Sequence, residues 1–547
     1  MKKIYFIISL SFVLSSCKKW VDINNNPNSA NSGVPTAEQR LPPLIAQFCD
    51  AYESTGTRTA YLSQQLATTY ASGGNNYNLT AWLSNSGNIA WPWQCWYVNA
   101  AVNITPLMTA AEKVQAWHYI GVAKIMKAWG FGTLADVYGM MPYDQFDDPA
   151  TITPRFDQAS YIQEKVLALL DEAIIDLQKT QGPTAPALAK GDILNNGSTD
   201  NWIRLAYGLK ARWLNHTSAL PGFNPQTVLD AASKGAQSKA QSSVMQYVDE
   251  GPLVTSAAKE ALQYTNTSTT ARITKLYLDY LTNNYTGAPT GAANMEDPRV
   301  DLLIPSMADR NGVLHRTKGV DMASGITNTG PVAYTYNAAA NSFSSPDSVY
   351  VVMRKTPYAP TDKDRIQSTG TWYTRRGGKG LLFTNAELRF IEAEILFNQH
   401  KNNEALTAYK AGIRAHMEHM DIAAGKIDAF LNSTSVVQQP ALLTLSHIMI
   451  QKYIALSYSP ELWADLRRLN YCTDGAGNYN EVAGIYKGFK RPAHVNNLYY
   501  PAQTDWPRRF AVASYEINYN SGQVLSAEPN AGSPTYLSQP VWWNKKQ

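Results

Sequence analysis

Residues 111–131 read Ala111-Glu-Lys-Val-Gln-Ala-Trp-His-Tyr-Ile-Gly-Val-Ala-Lys-Ile-Met-Lys-Ala-Trp-Gly-Phe131. This stretch indicates the fold, because its apolar side chains recur every three or four residues, as on one face of an α-helix. The apolar positions are Val114, Trp117, Ile120, Ala123, Ile125, Met126 and Trp129. Gly130 and Gly132 come next, and glycine commonly ends a helix. We therefore predict a helix that ends near Phe131.

Similar spacing elsewhere in the chain predicts further helices. Before residue 220 they are expected from Thr36 toward Ala71, from Gln94 to Thr109, over Ile162–Leu177 and from Ser198 to Thr217. Later ones are expected after the capping box Thr384-Asn-Ala-Glu387, at Asn402–Met420, at Leu442–Tyr458 and at Glu461–Leu469. Short links favour stacked helical hairpins, and because no clean repeat of about 34 residues is visible, any repeats are degenerate. The predicted fold class is all-α, with at most a few short strands.

The N-terminus has the features of an exported and lipidated protein. Lys2 and Lys3 precede a mostly apolar run, Ile4–Leu14, which is too short to span a bilayer as a mature helix. The run ends in Leu14-Ser-Ser-Cys17, which looks like a bacterial lipobox, whose cysteine receives diacylglycerol. We predict that Cys17 carries the lipid anchor; the alternative is an ordinary signal peptide with an incidental cysteine.

Changes of composition along the chain predict its domain organisation. Residues 237–383 are rich in Gly, Asn, Thr, Ser and Pro, and residues 473–547 are irregular and aromatic. Long irregular segments within ordered proteins are often functional. We expect a signal peptide at 1–16, a lipidated flexible tether at 17–36 and one domain at 37–547, with a helical scaffold at about 37–236 and 384–470 and a loop-rich insert at about 237–383.

The overall composition argues against several partners. Charged residues are 16% of the chain and the net charge is +4, without a basic block, so no nucleic-acid partner is expected. After Cys17, three cysteines remain: Cys49, Cys95 and Cys472. One disulfide could form among them in an oxidising compartment, but no C-x-x-C pair suggests a metal site.

Aromatic residues in irregular segments suggest a ligand site. Tyr77, Trp82, Trp91 and Trp93 lie among Gly, Asn and Ser, with no aliphatic stripe to pack them, and Asn75 and Asn78 lie beside them. Trp372 and Tyr373 form a second candidate group in the loop-rich insert. An aromatic ring can stack on the apolar face of a pyranose while amide groups bind its hydroxyls. We therefore predict that these residues bind glycan.

Motifs for catalysis or a cofactor are weak. Gly130-Phe-Gly132-Thr-Leu-Ala135 matches a dinucleotide-loop pattern, but a helix precedes it where a strand is needed. His416 and His419 are spaced as a metal pair on a helix, yet no third ligand is evident near them. We predict no catalytic residue, no metal and no cofactor.

Several motifs, in the same order along the chain, carry a family resemblance. They are Cys17-Lys-Lys-Trp-Val-Asp-Ile-Asn-Asn-Asn-Pro-Asn28, Ala123–Gly139 with Met141-Pro-Tyr143, Gly191–Leu194 with Trp202–Arg212, Thr384–Glu394, Gln451–Arg468, and Pro507–Phe510 with Tyr515–Asn518. Together they resemble the SusD/RagB-like outer-membrane lipoproteins of Bacteroidota, most closely the starch-binding-associated, SusD-like subgroup.

The resemblance implies tetratricopeptide-like helix pairs and a loop-rich ligand face. It implies a non-enzymatic lipoprotein of the outer membrane that faces the cell exterior, captures oligosaccharide or polysaccharide, and delivers it to a SusC-like TonB-dependent transporter. Two alternatives stay open, a secreted glycoside hydrolase and a peptide-binding or scaffolding helical-repeat lipoprotein. The family's ligand residues vary, so the resemblance assigns none of them here.

Overall fold

A computed structural model describes residues 35–68, 75–247, 271–308, 314–324, 336–337, 342–343, 370, 372–374 and 377–544. The predicted lipid-anchor residue Cys17 lies outside this part of the chain, together with the signal peptide and most of the tether. Among the described helices, none combines the length and the low polarity that a segment crossing a membrane needs.

Helices build most of the described structure. Before residue 240 they are α1 (Ala37–Leu62), α2 (Asn75–Thr80), α3 (Ala90–Gln94), α4 (Ile104–Glu112), α5 (Trp117–Tyr138), α6 (Ala159–Leu177), α7 (Thr199–His216) and α8 (Pro225–Lys234). After residue 270 they are α9 (Lys275–Leu281), α10 (Val300–Leu303), α11 (Asn385–Asn398), α12 (Asn402–His419), α13 (Ala424–Leu431), α14 (Leu445–Ala455), α15 (Pro460–Arg468), α16 (Ser514–Tyr519) and α17 (Ser521–Ala527).

Helices that follow one another in the chain pack as pairs, which confirms the predicted all-α class. The closest pairs are α5 with α6, α7 with α8, and α11 with α12. The described strands form four two-stranded antiparallel sheets. They are β1 (Leu66–Thr68) with β3 (Ala271–Ile273), β2 (Ser243–Gln246) with β8 (Lys379–Phe383), β4 (Ser306–Ala308) with β5 (Leu314–Arg316), and β6 (Tyr336–Asn337) with β7 (Ser342–Phe343).

The predicted helix end at Gly130 and Gly132 is wrong. Helix α5 continues through both glycines to Tyr138 and ends at Gly139, which has a φ of +87°. A Cβ atom at Gly130 would overlap the indole of Trp96, and one at Gly132 would overlap the indole of Trp213. These glycines therefore allow close helix packing rather than ending the helix.

Other predicted boundaries also change. Helix α1 ends at Leu62 instead of continuing toward Ala71, and the segment expected to be one helix near Gln94 contains a π-helical stretch, Cys95–Ala100. The capping box expected at Thr384 is not formed, because the Glu387 carboxylate binds Arg212 instead. Helix α15 begins at Pro460, one residue before the predicted start, and the hydroxyl of its N-cap Ser459 accepts from the Glu461 amide at 3.2 Å.

A buried ion pair joins the two helical regions, and a second one joins two helices of the later region. Arg212 on α7 donates two hydrogen bonds of 2.7 Å to Glu387 on α11. On α15, Arg468 binds Glu394 of α11, with one bond of 2.8 Å. All four side chains are almost completely buried. Removing one partner of such a pair would leave a charge buried without compensation, so loss of either partner should destabilise the packing between these helices.

The three described cysteines are buried and form no disulfide with one another. The Cys95 thiol donates to a carboxylate oxygen of Asp50 at 3.1 Å. Burial and the neighbouring Asp50 carboxylate raise the pKa of Cys95 far above its usual value, so the thiol stays protonated.

Candidate functional site

Trp82 lies in the core rather than on a ligand face. Its side chain is 0% exposed, and its backbone has a left-handed φ of 63°. The indole packs against the rings of Phe489, Tyr500 and Trp506, with ring centroids 5.3–6.4 Å apart. The Tyr500 hydroxyl also donates to the Trp82 carbonyl at 2.8 Å. The expectation that this ring stacks on glycan is therefore corrected, because no face of it reaches solvent.

Three more of the predicted aromatics are buried. Trp93 packs against Tyr97 and Tyr138, with ring centroids 4.7 and 5.0 Å apart. Trp372 and Tyr373 contact each other edge to face at 4.7 Å. These three side chains contribute to the core in this conformation, and the prediction that they contact ligand is likewise corrected.

Among the remaining predicted residues, the side chains of Trp91 and Asn78 are described, and neither is fully buried. The Trp91 side chain is 42% exposed, and Asn78 is half-buried. The side chains of Asn75 and Tyr77 lie outside the described part of the structure, so their predicted role stays a prediction. Trp91 is thus the predicted ring with an accessible face, but it does not line the cleft described next.

A cleft of about 820 Å³ opens where α9 and the loops that follow it meet the C-terminal segment. Most of the residues that line it are polar or charged, and two are tyrosines. The side chains that line it include Gln64, Lys275, Asp279, Asn283, Asn284, Tyr285, Thr286, Thr290, Asp321, Tyr479, Glu481, Lys487 and Lys490. The cleft has the size and the convergent polar groups of a small-molecule site.

Most of the lysines of the cleft already bind protein groups. Lys275 donates to the Asp279 carboxylate at 2.5 Å, and the amide of Asn284 donates to the same carboxylate at 3.1 Å. Burial nevertheless raises the pKa of Asp279. Lys487 donates to the backbone carbonyls of Glu481 and Val482 at 2.6 and 2.7 Å. Within the described lining, the ammonium groups of these two lysines are occupied.

The two tyrosines differ in accessibility. Tyr479 is 38% exposed, and the Lys490 ammonium lies 5.6 Å from its ring centroid. Tyr285 is partly buried and contacts the Tyr280 ring edge to face at 5.5 Å. Burial raises the pKa of Tyr285, so its hydroxyl stays neutral and can donate a hydrogen bond. The cleft therefore offers one accessible ring and one fixed phenol.

Two of the ten described non-glycine residues with positive φ line the cleft. Gln64 and Asn283 both line it and have φ values of 56° and 52°. Gly287 and Gly488 line it too, with φ values of 79° and 83°. Residues with side chains seldom adopt positive φ, and such conformations cluster at ligand-binding sites. The other eight non-glycine residues with positive φ lie elsewhere in the described structure, so these turns shape the cleft but do not by themselves mark it as the site.

None of the residues that line this cleft is among those predicted from the sequence to bind ligand. The cleft combines the end of α1, the loop-rich insert and the irregular C-terminal segment, which are far apart in the chain. The sequence does indicate part of the site, because the loop-rich insert, which is predicted to be functional, provides many of the lining residues. The choice of aromatic residues failed because the sequence does not show which rings pack inward.

One buried cluster resembles a metal site in geometry. Ligand-type atoms of Asp136, His216 and Glu461 lie within 4.8 Å of one another. However, the Asp136 carboxylate already accepts indole N–H groups from Trp213 and Trp543 at 3.0 and 2.8 Å. Burial alone would lower the pKa of His216, but the Glu461 and Asp136 carboxylates outweigh it and raise that pKa to about 10. A proton on His216 therefore offsets part of the charge of the two carboxylates, and the cluster joins α5, α7 and α15.

The histidine pair on α12 does not form a shared site in the described structure. Arg299 can only donate, so Nδ1 of His416 accepts from it, at 3.1 Å. The Nε2 atom of His416 lies 3.0 Å from the Tyr373 hydroxyl. His419 instead contacts the side-chain oxygen of Asn385 at 2.9 Å. Burial and the Arg299 charge lower the pKa of His416 well below its usual value, so it is neutral.

Solved structures similar to this chain share its fold over nearly the whole length. A SusD/RagB family protein from Bacteroides thetaiotaomicron is 19% identical with a TM-score of 0.65, and the match covers 94% of this chain and 100% of that one. A chitin-binding SusD homologue from Flavobacterium johnsoniae is 18% identical with a TM-score of 0.64, covering 93% and 99%. At this identity, the likeness establishes the fold alone.

No curated protein matches the chain. A family model does match it, over residues 30–484, and that model is described as "Starch-binding associating with outer membrane". The match spans the described helical scaffold and the segments that form most of the cleft. The chain therefore belongs to the SusD-like family of outer-membrane-associated, starch-binding proteins.

Proposed function

We propose that this protein is a cell-surface lipoprotein that captures oligosaccharide in the cleft and delivers it to a SusC-like TonB-dependent transporter. The cleft carries the proposal, because an accessible ring, amides and carboxylates converge there. Membership of a starch-binding family supports a carbohydrate ligand, and so does the structural likeness to a chitin-binding homologue.

The chemistry of the cleft suits a hydroxyl-rich ligand. The Tyr479 ring can stack on the apolar face of a sugar, while Asn283 and Asn284 offer both donors and acceptors to its hydroxyls. Asp321 and Glu481 add acceptors for hydroxyl protons. An open, wet site of this kind binds weakly, and a dissociation constant in the micromolar to millimolar range corresponds to about −4 to −8 kcal/mol.

Titration calorimetry with a panel of oligosaccharides, including fragments of starch and chitin, tests the binding step. Tyr479→Ala should weaken binding of the preferred oligosaccharide about tenfold, the effect expected for loss of a stacked ring worth about 1–1.5 kcal/mol. Tyr519→Ala is the matched control, because Tyr519 is 79% exposed and does not line the cleft. Binding that survives Tyr479→Ala unchanged would remove the cleft as the site.

Trp91 is tested in the same assay as a second contact outside the cleft. Loss of affinity in Trp91→Ala for long chains but not for short ones would place this exposed ring on the path of a polymer.

The hydrolase alternative is decided by measuring new reducing ends during prolonged incubation with each glycan. Sustained release of sugar would contradict a pure capture role.

Membrane attachment and delivery are tested in cells. Replacing Cys17 by serine should release the protein from the membrane fraction, because the acceptor of the lipid is lost. Affinity purification from solubilised outer membranes should recover a SusC-like barrel with the wild-type chain. Recovery of the chain without any barrel would argue against delivery but not against glycan capture.

A further inference from the structure

We infer that Gln64 is the positioning residue of the cleft: it fixes the Lys487–Lys490 wall relative to helix α9. The inference rests on the proposed function only in its consequence for ligand affinity. Gln64 lines the cleft, yet its side chain is almost completely buried. It lies at the sharp turn between α1 and β1, where its φ is 56°.

The backbone of Gln64 holds the first wall. The Thr274 hydroxyl donates to the Gln64 carbonyl. Thr274 is also the N-cap of α9, and its side-chain oxygen accepts from the Tyr277 amide at 3.2 Å. Helix α9 provides Lys275 and Asp279 to the cleft. The position of that helix start therefore depends on where the Gln64 carbonyl points.

The side chain of Gln64 holds the opposite wall. Its Nε2 atom donates to the Lys490 carbonyl at 2.6 Å, so a buried amide binds the backbone of the wall. The adjacent Phe489 ring packs into the aromatic core against Trp82 and Trp506. The hydrogen bond from Gln64 and this packing together fix the segment that presents Lys487, Gly488 and Lys490 to the cleft.

The third wall is connected to the same turn. The Gln65 carbonyl accepts from the Thr274 amide at 3.3 Å, which continues the pairing of β1 with β3. The Val320 amide donates to the Ile273 carbonyl at 2.8 Å, and the Val320 carbonyl accepts from the Lys275 amide at 2.8 Å. Residues 321–323 follow directly and line the cleft. Hydrogen bonds thus connect all three walls to residues 64–65. The first two walls bond to Gln64 directly, and the third is connected through residues 273–275.

A second glutamine with positive φ, Gln115, lies in a turn that does not contact the cleft. Gln115 has a φ of 53° between α4 and α5, and its carbonyl accepts from the Gly182 amide at 3.0 Å. Its side chain is exposed and does not line the cleft. Positive φ is unfavourable for a residue with a side chain and persists only where the surroundings enforce it. At Gln64, those surroundings are the walls of the cleft.

The test compares Gln64→Asn with Gln115→Asn. Asparagine tolerates positive φ, so the turn is kept, while the shorter side chain of Gln64→Asn withdraws the amide from the Lys490 carbonyl. We expect faster hydrogen exchange at the amides of Lys487 and Phe489, which bond to the carbonyls of Ile485 and Tyr486. We also expect about two- to tenfold weaker binding of the wild type's preferred oligosaccharide, the range for one lost hydrogen bond.

The matched control and a second variant keep the test decisive. Gln115→Asn should change neither the exchange of those amides nor the affinity. If Gln64→Asn does not fold, Gln64→Met replaces it, because methionine has a similar length and lacks the donor. Unchanged exchange in the Gln64 variant, or altered exchange with unaltered affinity, would overturn the inference. If the wild-type protein binds no oligosaccharide, the proposed function is wrong. Hydrogen exchange at the Lys487 and Phe489 amides then decides the role of Gln64 by itself.

Discussion

Trp82 and Trp91 belong to the same tryptophan-rich segment but have opposite environments. Trp82 is fully buried against aromatic residues from the C-terminal segment, whereas Trp91 is exposed on α3. Composition and local pattern are the same for both rings, so the sequence could predict that aromatic residues gather here. It could not predict their orientation, because the partners of Trp82 are Phe489, Tyr500 and Trp506, which lie more than four hundred residues away in the chain.

Burial of Trp82 leads to a prediction about stability. Trp82→Ala should lower the free energy of unfolding by about 3–5 kcal/mol, because it leaves a cavity beneath the Phe489 ring. Tyr519→Ala is the control and should change stability by no more than about 0.5 kcal/mol, as expected for an exposed position. Urea denaturation followed by circular dichroism gives both values. Equal stability of the two variants would contradict the described packing.

Helix α5 shows how an element can differ from its sequence pattern. Glycine commonly ends helices because it adopts positive φ without strain. At Gly130 and Gly132, however, the helix continues, since the missing side chains admit the indoles of Trp96 and Trp213. The helix ends at Gly139 instead, where φ is +87°. The amphipathic spacing therefore predicted the helix, and long-range packing determined its length.

Close packing at α5 reverses the usual effect of a glycine substitution. In an exposed helix, Gly→Ala stabilises by about 1 kcal/mol. Gly132→Ala should instead destabilise the protein by about 1–3 kcal/mol, because its Cβ would overlap the Trp213 ring. Gly425→Ala is the matched control, since Gly425 lies in α13 with open space around it. Thermal unfolding of both variants checks the sign; a more stable Gly132→Ala would refute tight packing there.

For the molecule as a whole, local patterns could predict the helix pairs and the all-α class. They could not predict the cleft, because its walls come from Gln64, from α9 and the loops after it, and from residues 479–490. These walls meet only when the two helical regions pack together. Their packing depends on buried ion pairs such as Arg212 with Glu387. No short motif in the sequence shows which arginine pairs with which glutamate.

His216 links the same two regions through charge. It lies between Asp136 of α5, 3.4 Å from its Nδ1 atom, and Glu461 of α15, 2.6 Å from its Nε2 atom. Burial opposes the charge on the imidazole, but the two carboxylates raise the pKa of His216 to about 10. The unfolded chain should titrate near the usual value of about 6.5. The folded state thus holds a proton that the unfolded state releases between these two pH values.

This difference in pKa predicts how stability changes with pH. The contribution of His216 is fully present below pH 6.5 and is lost as pH rises through about 10, at up to about 1.4 kcal/mol per pH unit. His216→Gln should cost about 3–5 kcal/mol near pH 6, because it removes the positive charge that lies between two buried carboxylates. The cost should shrink steadily toward pH 10. Urea denaturation of both proteins at several pH values separates this effect from other alkaline titrations, which the two share. A stability difference that stays constant over this range would mean that His216 is neutral in the folded protein, and that the regions are joined there without its charge.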